Sequence, residues 1–141
     1  MKIQEIFALA AAYLSEDPAA LDTADYRRRV PGILAAAIIE LQPLDREVSK
    51  DPYKRYPDYT ELCDPATDFP LHERLSSVCA LRVASHLILD ENPTLSARLA
   101  SEYEAAREGV IRSLPAHIAP IADKYGRGRH GAWQKHKRPR Q

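Results

Sequence analysis

The chain has 141 residues, 45% hydrophobic and 28% charged, which suits one globular domain with a short appendage and excludes wholesale disorder. Its 20 Lys and Arg balance 20 Asp and Glu, but seven of the bases fall between Lys124 and Gln141, where there is no acid. Positions 1–123 are left with 13 bases against 20 acids, so an acidic body of net −7 carries a basic arm of +7.

The longest apolar run, from Ile33 to Leu41, contains Glu40 and is too short for a bilayer. The opening Met1-Lys2-Ile3-Gln4-Glu5 does not read as a secretion signal. Cys63 and Cys79, the two cysteines, fit unpaired thiols in a reducing compartment, and a cytoplasm is the expected place of folding.

In chain order, Ile3, Ile6, Phe7, Ala10, Tyr13 and Leu14 share one face of a helix over about 2–14, which Ser15-Glu16-Asp17-Pro18 stops. Asp22 or Thr23 caps a second helix whose stripe is Tyr26, Val30, Ile33, Leu34, Ala37 and Leu41. Pro31-Gly32 predicts a kink or a restart within it, and Pro43 its end.

Positions 43–70 hold Pro43, Pro52, Pro57, Pro65 and Pro70, with Tyr53, Tyr56 and Tyr59 at three-residue steps. This predicts a long loop, of a length that is usually functional, with a short β-hairpin over 59–69 around Asp64-Pro65. A third helix, capped by Asp68 or Phe69 with Pro70 in its first turn, is apolar almost all round and therefore central. Asn92-Pro93 starts a fourth, with the stripe Leu95, Leu99, Tyr103, Ala106, Val110 and Leu114 and the outer pairs Arg98–Glu102 and Glu104–Arg107. The short link makes the third and fourth helices antiparallel. The fold class is all-α: a four-helix bundle-like domain over 1–115, with a long loop between helices two and three and an extended basic arm over 116–141.

Chemical motifs are sparse. His72-Glu73 is followed at the fourth position by Ser76 rather than a second histidine, so the zinc-protease pattern fails. Cys63 and Cys79 form no CxxC pair, Cys79 and His86 sit on a packing helix, and no phosphate-binding glycine loop is present. Neither catalysis nor a cofactor nor a metal is expected.

Three features exceed the needs of a plain helical domain. Arg27, Arg28 and Arg29 suit phosphate or carboxylate contact, or a solvated helix face. Tyr53, Tyr56 and Tyr59 suit an interface, or fold back over the helices. Lys124, Tyr125, Arg127, Arg129, Trp133, Lys135, Lys137 and Arg138 suit docking on a partner, with the acidic body of a neighbouring copy one complementary surface.

The order of features supplies a resemblance. Asp25-Tyr26-Arg27-Arg28-Arg29-Val30-Pro31-Gly32-Ile33-Leu34, Ile39-Glu40-Leu41-Gln42-Pro43-Leu44, Asp68-Phe69-Pro70-Leu71, Leu89-Asp90-Glu91-Asn92-Pro93 and Ala100-Ser101-Glu102-Tyr103-Glu104-Ala105-Ala106 follow one another across roughly positions 1–114. This succession resembles the small head–tail connector, or adaptor, proteins of tailed bacteriophages. The resemblance implies a non-catalytic virion subunit at the head–tail junction, assembled in the host cytoplasm into a ring, commonly of twelve copies, beneath the portal protein. Such a ring extends the channel for genomic DNA without reading its sequence and offers a docking surface to a stopper or tail-completion protein. It also implies that the arm reaches the portal or a neighbour and that the tyrosine loop meets adjacent subunits; Arg27–Arg29 are a further expected subunit contact. No membrane is implied. The alternative is a small helical nucleic-acid-binding or DNA-packaging protein with Arg27–Arg29 and the arm on phosphates.

Overall fold

The computed structural model of the protein describes residues 1–14 and 24–115. Within them are five α-helices and no strand: α1 (Ile3–Tyr13), α2 (Ala24–Ser49), the one-turn α3 (Tyr59–Leu62), α4 (Ser76–Leu87) and α5 (Pro93–Ser113), with a 3₁₀ turn at Glu73–Leu75 leading into α4. No helix among the described residues is long and apolar enough to cross a membrane. The expected cap at Asp22 or Thr23, the stop at Ser15–Pro18 and the whole arm, Lys124 to Arg138 included, lie outside the described residues.

The core is organised around α4, which packs against α1, α2 and α5. Its sequence leaves it no polar face wide enough for solvent: Val78, Cys79, Ala80, Leu81, Val83, Ala84, Ser85 and Leu87 are all buried. α1 contributes Ile3, Ile6, Ala10 and Ala11, and α5 contributes Leu99 and Tyr103. Asn92 caps α5 by accepting a hydrogen bond from the Leu95 amide at 3.0 Å, with Pro93 in the first turn where no N–H is needed. α4 and α5 are antiparallel. Near the link the Ser96 hydroxyl donates to the Ser85 carbonyl at 2.7 Å, and at the far end Arg74 reaches the Ser113 hydroxyl at 2.5 Å.

α2 corrects two expectations. It neither restarts at Pro31 nor closes at Pro43 but runs as one helix of 26 residues through both. A proline inside a helix leaves the carbonyl four residues earlier without its donor and costs about 3 kcal/mol. Here those carbonyls belong to Arg27 and Ile39, both exposed, where water can serve them. In return the opposite face buries Leu34, Ala35, Ala37, Ile38, Leu41 and Leu44. Each large apolar side chain is worth about 1.5–3 kcal/mol, so the buried stripe outweighs both local penalties.

The loop between α2 and α4 is therefore shorter than expected, and it holds no hairpin. Where one was expected stands α3, started by a reciprocal cap: the Glu61 amide donates to Asp58 at 2.9 Å and the Asp58 amide to Glu61 at 3.1 Å. The extended stretch after it pairs with the N-terminus instead. Lys2 and Asp68 form an isolated antiparallel bridge, the Phe69 amide donates to the Met1 carbonyl at 2.9 Å, and the Ile3 and Gln4 amides donate to the Thr67 and Pro65 carbonyls at 3.0 and 3.1 Å. Those two amides open α1 and have no partner within it, so the loop closes the helix end. The predicted cap of the third long helix also moves: Pro70 lies in the extended stretch before the 3₁₀ turn, and His72 Nδ1 accepts from the Arg74 amide at 3.2 Å.

Candidate functional site

Continuing the spacing of Leu34, Ile38 and Leu41 along α2 by one more step reaches Asp45. This carboxylate has no solvent exposure. An ion there must be fully partnered or it would not stay charged. Asp45 Oδ2 accepts from Lys54 Nζ at 2.7 Å and from the Tyr56 hydroxyl at 2.7 Å, and Oδ1 accepts from the His72 amide at 2.6 Å. Burial alone would raise its pKa, but Lys54, the His72 amide and Tyr56 together outweigh that and hold it below the usual carboxylate range. Both ends of the loop are thus tied to one atom group on α2.

Tyr56 consequently takes the folded-back alternative. It is half-buried, its hydroxyl also reaches the Gln42 carbonyl at 3.2 Å, and the Arg46 guanidinium and Lys54 ammonium stand 5.3 and 5.6 Å from its ring centre. Burial, with the hydrogen bond to Asp45, pushes its pKa well above the ordinary tyrosine value.

Its two neighbours face outward. Tyr53, in the turn after α2, is 89% exposed, and Tyr59 at the start of α3 is 57% exposed. α3 lies along α2, with the Tyr59 hydroxyl 4.0 Å from where a Cβ on Gly32 would stand. On one side of α3 a groove of about 370 Å³ is lined by Ala35, Ile39, Pro57, Tyr59 and Leu62. Ile39, 62% exposed, faces solvent there. On the other side an apolar hollow of about 360 Å³ opens between α1 and α2, lined by Ile3, Phe7, Val30, Leu34 and Leu62 with Arg27 and Cys63 also bordering it.

The three arginines at the start of α2 do not form a free cationic patch. Arg29 lies 3.5 Å from Asp25 and 3.7 Å from Asp90, Arg28 lies 3.9 Å from Asp25, and the adjacent Tyr26 hydroxyl donates to Glu91 at 2.6 Å. These carboxylates compete with any phosphate for the same donors.

A second polar tie was invisible in the sequence. Glu40 of α2 accepts from the buried Tyr103 of α5 at 2.8 Å and from Arg82 of α4 at 3.1 Å, and the Arg82 guanidinium stands 5.0 Å from the Tyr103 ring centre. Three helices are fixed to one another by these three side chains.

Of the cysteine and histidine on α4, Cys79 is buried and His86 is exposed. Cys79 is buried in α4, and burial pushes its thiol up to about 12. His86 titrates below the ordinary histidine value because of burial and the Arg82 charge. Among the described residues no group of three or more His, Cys, Asp or Glu is placed to hold a metal. No family model, no curated protein and no solved structure matches the chain.

Proposed function

We propose that the chain is a structural assembly subunit of the head–tail connector type: a four-helix-type body that repeats around a ring beneath a portal and carries no catalytic turnover. The observation that supports this reading best is the Asp45 clamp. A buried, triply partnered carboxylate fixes a proline-rich loop whose outermost side chain, Tyr53, makes no use of that rigidity within the described subunit. A pre-ordered loop presenting an exposed aromatic binds without losing much conformational freedom on contact. Tyr59 and Ile39 are further exposed apolar side chains, both at the groove along α3.

A ring needs two different faces of one subunit to meet. The Tyr53–Tyr59 loop is one, and the Arg27–Arg29 start of α2, with its alternating Asp25, Asp90 and Glu91, suits a polar counterpart. The self-paired arginines weigh against the nucleic-acid-binding alternative.

Imaging tailed-phage particles that contain this chain tests the proposal. A symmetric collar between portal and tail, built of this polypeptide, is the expected result. Its absence, together with DNA binding by the purified chain that weakens steeply and linearly in log salt, would replace this reading with the nucleic-acid one.

A further inference from the structure

The hollow between α1 and α2 has a wall that the helix repeat dictates. Arg27, Val30, Pro31 and Leu34 stand at i, i+3, i+4 and i+7, so one stripe of α2 faces it over two turns, about 10 Å. Ile3 and Phe7 of α1 make a second wall, and Leu62 at the end of α3 a third. Its depth is apolar: Ile3, Leu34 and Leu62 are buried, while Phe7 and Val30 are half-buried. The volume of about 360 Å³ falls within the range of small-molecule sites.

Charge enters at one end only. Arg27 is the one charged side chain among the described residues that line the hollow, and no carboxylate borders it. Asp25, which engages Arg28 and Arg29, lies two positions from Arg27 and does not share its face of the helix. A guanidinium carries five N–H donors in a planar fork, so Arg27 can take a carboxylate alongside the contact it already makes. An apolar trough two turns long, ending in a cation, suits a linear aliphatic chain that ends in a carboxylate. A neutral alcohol of the same length would gain the apolar walls but lose the charged end, and a small hydrophilic anion the reverse.

We propose that this hollow binds a medium-chain aliphatic acid in its ionised form, with the chain along Phe7, Val30 and Leu34 and the carboxylate on Arg27. The site goes beyond the assembly reading and does not depend on it.

Cys63 borders the hollow and is exposed, whereas Cys79 is buried, so the reaction of Cys63 with a neutral disulfide reagent reads occupancy in the full-length protein. Sodium octanoate should slow that reaction saturably and several-fold. 1-Octanol should need roughly tenfold more ligand for the same effect, the worth of one charge-assisted hydrogen bond. Arg27→Gln should remove the difference between the two ligands, and Val30→Trp, which fills the hollow, should abolish protection by both. Far-UV circular dichroism confirms that each variant keeps its fold. No saturable protection in the wild type would overturn the proposal, as would equal potency of acid and alcohol, a preference for the acid that survives Arg27→Gln, or protection that survives Val30→Trp. Faster labelling of Cys79 in octanoate would also overturn it, by marking the acid as a denaturant. A chain that binds octanoate but never assembles loses the assembly reading and keeps this site.

Discussion

The Tyr56 hydroxyl donates a 2.7 Å hydrogen bond to the carboxylate of Asp45, a side chain with no exposure to solvent. Eleven positions apart in sequence, the two residues join the last turns of α2 to the loop that returns toward α4. Lys54 and the His72 amide complete the same carboxylate, so the loop's geometry depends on one buried charge.

Removing that charge should be costly. Asp45→Asn leaves Lys54 without its ion pair and presents donors to donors, and breaking a buried pair in this way costs about 3–5 kcal/mol. Urea unfolding monitored by circular dichroism should show an unfolding free energy lower by that amount, with the midpoint moved down accordingly. Tyr56→Phe, which keeps the ring between Arg46 and Lys54, should cost only about 1–2 kcal/mol.

Acid should act through the same group. Asp45 has a folded pKa below its unfolded value of 3.8, so its contribution is complete above that value and is lost as pH falls from there through the depressed folded pKa. Stability measured between pH 5 and pH 2, both order-of-magnitude bounds for a carboxylate titration, should fall more steeply in the wild type than in Asp45→Asn.

Lys50 ends α2 with φ of 54°, the left-handed conformation that favours glycine. Lys50→Gly should stabilise the protein by about 0.5–1 kcal/mol, seen as a raised thermal midpoint. An unchanged or lowered midpoint would mean that the Lys50 side chain contributes contacts that offset its backbone strain.

The two thiols should separate cleanly. Cys63 is exposed and Cys79 buried with a thiol near 12. A disulfide reagent at pH 8 should label one thiol per chain at once and the second only at the rate at which α4 is exposed by unfolding; Cys63→Ser should abolish the fast phase alone.

The parts of the fold legible from the sequence were those where local and tertiary preferences agree. The stripe of α1 and the Asn92-Pro93 start of α5 stand where their spacing put them, and α4 is the central, largely buried helix its composition indicated, although it begins at Ser76 rather than near Pro70. Pro43 misleads because its local cost is real yet smaller than the burial of Leu41, Leu44 and the partnered Asp45. The Asp58–Glu61 cap was readable as a helix start, but four surrounding prolines and a three-residue tyrosine spacing suggested an irregular loop. Of the tyrosines, sequence could not divide Tyr56 from Tyr53 and Tyr59, because the division is made by Asp45, a residue assigned to the loop rather than to a buried helical face.

Self-association through the tyrosine loop is the claim on which the functional account stands. Sedimentation velocity of full-length wild type and Tyr53→Ala over increasing concentration tests it most directly, since Tyr53 is almost fully exposed and its removal leaves the described core intact. The wild type should pass to one discrete, symmetric oligomer, and the variant should need about 30-fold more protein to reach it, the effect of losing an interface anchor worth about 2 kcal/mol. A single-chain species at every concentration, or identical assembly by the variant, would contradict it.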